Sequence, residues 1–368
     1  MSKRRGSRSK HRSQTITNPS PKRSTNDTLP PKKGKLARAR LRHFFFTVAP
    51  DRLMRGLLKR RHLLCPIHLR EITLHVPSWP ERWEGVRIAH LSDIHLGDLM
   101  PIEKALELVD RVAKAKPDML ACTGDVVDLD WHGAEPLLEA MGSVPASLGR
   151  FLVLGNHDLL DDPAALSRAA RRRGLRVLHG AVEHVRRPDA GDGAGDGGSM
   201  RVGGIEWGRT KRELAKHVDA LPERPDLLLA HNPKAFPAAA RIGVPLTLAG
   251  HTHGGQMALP DRTVLARRTR GAEVVPVDAA GDSSAFGAAG AGAHAARTAV
   301  GASFDVSSLD AARVPAQGSA PALARTRALR RGLYAQGDSR LFVSVGAGSW
   351  FPARVNCPAE TLILTVRR

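Results

Sequence analysis

The chain has 368 residues, 42% of them apolar, which is enough to bury a sizeable core in one large domain or two ordinary ones. No stretch approaches the roughly 20 consecutive apolar residues of a membrane-spanning helix, which argues against integral insertion. The three cysteines, Cys65, Cys122 and Cys357, show neither metal-like nor disulfide-like spacing, so we expect a reducing, cytoplasmic setting.

The net charge of +20 is concentrated at one end of the chain. Residues 1–70 hold 20 Lys and Arg against two Asp, and residues 1 to about 35 are almost devoid of apolar side chains, which predicts a largely disordered tail. Between residues 36 and 64, apolar and basic residues are interleaved, as in an amphipathic segment lying peripherally on the anionic inner face of a cell membrane. A solvated linker packed on the domain is the alternative.

From Glu71 to the last residue, 368, the pattern predicts one folded domain in which short apolar strands alternate with helices. The predicted strands are 72–76, 86–92, 119–123, 151–154, 227–230, 246–249, 341–345 and 361–366, and the predicted helices are 102–114, 163–173 and 211–220. This order favours an α/β core with parallel strands. Two segments interrupt it: a Gly/Asp-rich stretch at 188–199, predicted to be a loop, and an Ala/Gly-rich, low-complexity insertion at about 262–331.

Five groups of polar residues directly follow apolar strands. They are Ser92-Asp93-Ile94-His95, Gly124-Asp125-Val126-Val127-Asp128, Gly155-Asn156-His157-Asp158, His231-Asn232-Pro233 and Gly250-His251-Thr252-His253. Taken singly, most of these residues would be turn formers or packed histidines. Because loops at the carboxyl ends of strands converge on one crevice, five such groups together predict a shared site. Carboxylate, imidazole and amide donors suit divalent Mn, Fe or Zn, and two such ions can act together on a phosphoryl group.

In this order the groups resemble the Asp-x-His, Gly-Asp-x-x-Asp, Gly-Asn-His-Asp, His and Gly-His-x-His signature of calcineurin-like metallophosphoesterases, over about residues 72–368 apart from the insertion. The resemblance implies a four-layer α/β/β/α sandwich with two divalent metal ions at the carboxyl ends of the strands, and attack on phosphorus by a hydroxide that bridges the metals. It implies that one metal is held by Asp93, His95, Asp125 and His253, and the other by Asp125, Asn156, His231 and His251. It also implies that His157 is a general acid or charge stabiliser held by Asp128.

The motifs differ from those of one branch of this superfamily and resemble those of another, which narrows the expected substrate class. Phosphoprotein phosphatases usually have Arg-Gly and Glu where this chain has Leu129-Asp130 and Asp158, which argues against a protein phosphatase. Residues 230–233, 249–256, 345–348 and 354–360 resemble the bacterial YaeI/YkuE branch, whose members are typically membrane-associated. Some relatives of that branch hydrolyse UDP-2,3-diacylglucosamine in lipid A synthesis. We therefore expect a phosphodiesterase, phosphomonoesterase or phosphoanhydride hydrolase acting on a phosphorylated small molecule or lipid.

Two other functions remain open at the level of sequence. The basic tail suits nucleic-acid binding, although its three Phe residues at 44–46 are contiguous rather than interleaved with the basic residues. A catalytically inactive scaffold is the other alternative, which the presence of every expected ligand disfavours. Five further histidines match none of the groups and are predicted to be surface or packing residues: His90, His132, His179, His184 and His217.

Overall fold

The computed structural model describes residues 34–187, 198–256 and 329–368, together with the backbone of 272–275. The predicted disordered tail before residue 34, most of the predicted loop at 188–199 and most of the predicted insertion at 262–331 lie outside the described residues.

The described strands form two sheets. In chain order they are β1 (His68–His75), β2 (Arg87–Leu91), β3 (Met119–Cys122), β4 (Arg150–Leu152), β5 (Arg176–Val177), β6 (Ala181–Val185), β7 (Met200–Gly204), β8 (Leu227–Leu229), β9 (Leu246–Ala249), β10 (Ala272–Val275), β11 (Gly332–Gln336), β12 (Ser339–Val343) and β13 (Glu360–Arg367). One sheet has the order β10-β1-β13-β2-β3-β4-β5 and the other β11-β12-β9-β8-β7-β6. Four neighbouring strands of each sheet, β2 to β5 and β7-β8-β9-β12, are parallel as predicted.

Antiparallel pairs complete both sheets. Strands β11 and β12 pair antiparallel because only Gly337 and Asp338 connect them, which leaves no room for a crossover. Strand β13 runs antiparallel to β2 and parallel to β1, so the expected parallel core is in fact two mixed sheets. Strand β10 pairs antiparallel with β1, although it lies within the predicted insertion.

Helices cover the outer faces of both sheets. They are α4 (Ile102–Lys114), α5 (Glu135–Ser143), α6 (Pro163–Arg172), α7 (Lys211–Asp219) and α8 (Phe236–Arg241), of which α4 has the predicted bounds and α6 and α7 end one residue earlier. In β2, Ile88 packs in the apolar layer between the sheets, whereas Ala89 and Leu91 pack against α4 and α5 on the outer face. Helices α7 and α8 cover the second sheet. The layers are therefore α/β/β/α, which confirms the predicted fold.

The residues before β1 form α1 (Lys35–His43), a π-helical turn (Phe44–Val48), α2 (Ala49–Leu53) and α3 (Leu57–Leu64). This segment contacts the domain through Thr47, which is only 3% exposed and whose hydroxyl donates to the Trp350 carbonyl at 3.0 Å. None of the helices in the described part of the chain combines the length and the apolar character that a membrane span requires.

Candidate metal centre and catalytic site

The predicted ligands lie at the carboxyl ends of strands from both sheets. Asp93 and His95 follow β2, Asp125 follows β3 and Asn156 follows β4, whereas His231 follows β8 and the pair His251 and His253 follows β9. The strands within each run are parallel, so their ends lie at one edge, and the two edges meet over the layer between the sheets. The structure thus brings together all nine residues that the sequence predicts for the site.

The backbone at this edge is strained at the ligand positions. Five predicted ligands have φ between 47° and 71°, a left-handed conformation that residues other than glycine rarely adopt: Asp93, His95, Asp125, His251 and His253. Strain of this kind costs of order 1–3 kcal/mol per residue and persists only where the surrounding structure enforces it. The left-handed backbone at these positions turns the side chains of different loops toward one another.

The first cluster joins Asp93, His95 and His253. The Nε2 atoms of His95 and His253 lie 3.1 Å apart, and His253 Nε2 lies 3.5 Å from Asp93 Oδ1. All three side chains are buried, and one donor atom from each lies within 4.8 Å of the others. Three donors at this spacing are compatible with a common metal ion.

The second cluster joins Asp125, His231 and His251. His231 Nε2 lies 3.1 Å from Asp125 Oδ2 and 3.2 Å from the amide oxygen of Asn156. Asp125 Oδ2 also lies 3.6 Å from His95 Nε2 in the first cluster. The Asp125 carboxylate is therefore located between the two clusters.

Close backbone packing holds the clusters together. A side-chain carbon at Gly155 would overlap the Asp125 carboxylate, and one at Gly250 would overlap Ser92 and the Asp93 carboxylate. Glycine is required at both positions because atoms of the adjacent loop approach too closely to leave room for a side chain.

Opposite charges within the site shift its pKa values. Burial opposes ionisation of Asp125, but the facing imidazoles of His231 and His157 outweigh it and hold the pKa of that carboxyl well below its usual range. Burial likewise disfavours a charged His157, yet the Asp125 and Asp128 carboxylates raise its pKa to about 9. Burial, together with the nearby His231, lowers the pKa of His251 to about 3.

His157 and Asp128 lie beside the metal clusters. His157 Nδ1 is 3.2 Å from the Asp128 carboxylate and 2.5 Å from the Asp128 carbonyl oxygen, so both the side chain and the backbone of Asp128 hold the ring. Asp128 Oδ1 also accepts from His95 Nδ1 at 3.2 Å. One donor atom of His157 lies within 4.8 Å of those of His95 and Asp125, so the ring is close to both clusters.

Asp158 has a role that sequence reasoning missed. Its buried carboxylate accepts the backbone N–H groups of Asp125, Val126, Val127 and Gly155 at 2.8 to 3.2 Å. These bonds tie the loop after β3 to the loop after β4. The signal was present in the sequence, because Asp158 closes the Gly-Asn-His-Asp group.

A second missed feature is a buried chain of hydrogen bonds that ends at Asp93. His90 Nε2 lies 3.0 Å from the Thr123 hydroxyl, which donates to the Ser92 hydroxyl at 2.8 Å, and Ser92 donates to Asp93 Oδ2 at 2.5 Å. Because Thr123 donates onward, His90 must donate to Thr123 through Nε2–H. Burial lowers the pKa of His90 to about 3 and keeps the ring neutral. This chain of hydrogen bonds orients the Asp93 carboxylate, so His90, which was predicted to be a surface or packing residue, supports a predicted ligand.

Comparison with known proteins places these residues in a family. Residues 86–255 match the model of the calcineurin-like phosphoesterases. An uncharacterized metallophosphoesterase of Aquifex aeolicus is 32% identical over 200 residues, which cover 54% of this chain and 74% of that protein. The metallophosphoesterase YkuE of Bacillus subtilis is 26% identical, over 53% of this chain and 67% of its own length. A Danio rerio protein named as a transmembrane protein with a metallophosphoesterase domain is 28% identical, but only 46% of it is covered.

Proposed function

The chain belongs to the calcineurin-like phosphoesterase family and is a metal-dependent hydrolase, and from this premise we propose that its two clusters each hold one divalent ion and share Asp125. The observation that carries the proposal is the position of Asp125 Oδ2, 3.6 Å from His95 Nε2 and 3.1 Å from His231 Nε2. A carboxylate between two sets of imidazoles could serve as a ligand shared by two neighbouring divalent ions. Asp93, His95 and His253 complete one set, and Asn156, His231 and His251 complete the other.

The donor atoms fit such ions on chemical grounds. Two imidazole nitrogens that face each other at 3.1 Å, as in His95 and His253, need a proton or a cation between them. Oxygen and imidazole donors without thiolate favour Mn, Fe or Zn. When bound, the two ions supply Lewis acidity at the phosphoryl oxygens and a hydroxide nucleophile at neutral pH.

We propose that His157 donates a proton to the leaving group. Its Nδ1 is held by Asp128, which leaves Nε2 as the atom that faces the substrate. The pKa of about 9 keeps the ring protonated at neutral pH, and a protonated imidazole can both donate a proton and stabilise negative charge. Asp128 orients the ring and at the same time fixes His95.

We further propose that the substrate is a nucleotide-lipid, such as UDP-2,3-diacylglucosamine, and that the protein acts on it at an anionic membrane surface. Support comes from the segment before the domain, where large apolar side chains are exposed among Arg and Lys: Leu41, Phe44, Phe45, Leu53 and Leu57. Such a surface suits the boundary between lipid headgroups and acyl chains. The segment ends at the catalytic domain, which would keep the site close to the membrane.

A panel of phosphomonoesters, phosphodiesters and UDP-2,3-diacylglucosamine, assayed with Mn, Mg, Fe and Zn, tests both levels of the proposal. We expect turnover to require Mn, Fe or Zn and to be abolished in Asp125→Asn. Turnover that survives complete chelation would contradict a metal-dependent mechanism. Turnover of small esters without any hydrolysis of the nucleotide-lipid would remove only that substrate.

A further inference from the structure

The helical segment before the domain reaches the catalytic site itself. Helix α1 and the π-helical turn lie over the loop after β3, and a narrow cleft between them and the domain is lined by Arg42, Phe46, His157 and Trp350. His43, the last residue of α1, points into the domain, and its side chain is only 10% exposed. A residue more than 80 positions before Asp128 in the chain thus lies beside it.

Both ring nitrogens of His43 face carboxylates. Nδ1 lies 3.3 Å from Asp128 Oδ2, and Nε2 lies 3.1 Å from Asp98 Oδ2. The hydrogen bond with Asp128, opposed by burial, raises the pKa of His43 and favours the charged ring. Because each ring nitrogen lies within 3.3 Å of a carboxylate oxygen, a doubly protonated His43 can donate to both carboxylates at the same time.

The two oxygens of Asp128 have different partners. Oδ1 faces His157 Nδ1 and His95 Nδ1, each at 3.2 Å, while Oδ2 faces His43. A carboxylate that is held at one oxygen only can rotate, and rotation would carry Oδ1 away from His157. A donor at Oδ2 prevents that rotation.

We propose that His43 is a positioning residue for Asp128, and through Asp128 for His157, so that residues 34–64 complete the active site. The inference rests on the proposed role of His157 as the proton donor. Hydrogen-bonded partners of this kind typically contribute 10- to 100-fold when they orient a functional residue. The segment then has a catalytic task in addition to any role in location.

A matched pair of substitutions separates the two contacts of His43. An Asn amide nitrogen occupies the place of Nδ1 and keeps the donor to Asp128, whereas a Gln amide nitrogen occupies the place of Nε2 and keeps only the donor to Asp98. We expect His43→Asn to retain most of the activity, and both His43→Gln and His43→Ala to lose about 10-fold in kcat. If His43 only anchored the helix, Gln would be at least as active as Asn.

The decisive readout is the dependence on the leaving group. The loss in His43→Gln should be largest for an alkyl ester and smallest for a p-nitrophenyl ester. Because Asp128 Oδ1 also holds His95, the variants are compared at equal metal occupancy, measured by mass spectrometry. His132→Gln is the matched control, because His132 is exposed on the neighbouring loop near Asp130 and Asp161 and should show no loss. Equal activity of the Asn and Gln variants, or a loss that is the same for both esters, would overturn the inference.

The variant His157→Ala distinguishes failure of this inference from failure of the proposed function. If His157→Ala loses activity most strongly on the alkyl ester while His43→Gln does not, only the role of His43 is wrong. If His157→Ala shows no dependence on the leaving group, the proton-donor role on which the inference rests is wrong as well.

Discussion

Replacing Asp158 with Ala removes one carboxylate that four buried backbone N–H groups share. The donors belong to Asp125, Val126, Val127 and Gly155, at 2.8, 2.8, 3.2 and 2.9 Å. Asp158 is only 2% exposed, so bulk water does not reach the donors in its place. The substitution therefore leaves polar groups unpaired in the interior of the site.

The size of the effect follows from the number of orphaned donors. A buried N–H without a partner costs about 1–3 kcal/mol, so four of them cost about 4 kcal/mol even at the lower limit. Most globular domains unfold with a free energy of only about 5–15 kcal/mol. Asp158→Ala should thus remove a large part of the stability, and because Asp125 loses its backbone support, metal affinity should fall with it.

Guanidinium denaturation followed by tryptophan fluorescence measures the loss. Asp162→Ala is a suitable control, since Asp162 accepts a single N–H, that of Ala165 at 2.8 Å, at the start of α6. Loss of such a cap typically costs about 1 kcal/mol. If Asp158→Ala is no more destabilising than Asp162→Ala, the four hydrogen bonds do not act as the structure indicates and the reasoning is refuted.

Three further outcomes are expected. His157→Ala should keep both metals but slow the hydrolysis of alkyl esters by roughly 100- to 10,000-fold, with a smaller loss on p-nitrophenyl esters. Loss of metal from this variant would show instead that His157 is a ligand. Asp128→Asn should show a milder form of the same pattern, because the Asp128 carbonyl still accepts from His157 Nδ1; a loss equal to that of His157→Ala would contradict this. Residues 2–33 carry ten Lys and Arg against one Asp. Deleting them should weaken binding to phosphatidylglycerol vesicles in a sedimentation assay by about 1 kcal/mol for each basic residue at the surface, while turnover of a small ester is retained. Unchanged vesicle binding would contradict a role of the tail in location.

Regular periodicity made part of the fold predictable from the sequence. Helix α4 and strand β9 have the predicted bounds because their apolar residues repeat at helical spacing or form one continuous buried run. Strand β5, with two residues, and β7, which ends in Gly203-Gly204, carry too weak a pattern to be found. The division of the strands between two sheets depends on long-range pairing, such as that of β13 between β1 and β2, which no local pattern encodes.

The site was predictable where its residues follow strands. Asp93, Asp125 and His231 each lie within three residues of the end of an apolar strand, so their convergence follows from sheet geometry. The contact of His43 with Asp128 depends on how α1 lies on the domain, and no motif marks it. The sequence did not predict the chain of hydrogen bonds that links His90 to Asp93. Hydroxyl groups such as those of Ser92 and Thr123 are common beside strands and carry no specific signal on their own.

Metal stoichiometry in the Asp125→Asn and His253→Ala variants tests the central claim most directly. Asp125 lies between the two clusters, whereas His253 belongs to the first cluster alone. With Mn, Fe or Zn counted by mass spectrometry, the parent chain should hold two ions, His253→Ala should lose the ion of its own cluster, and Asp125→Asn should lose metal from both. Near-normal activity of Asp125→Asn with both ions still bound would contradict the assignment of Asp125 as the shared ligand.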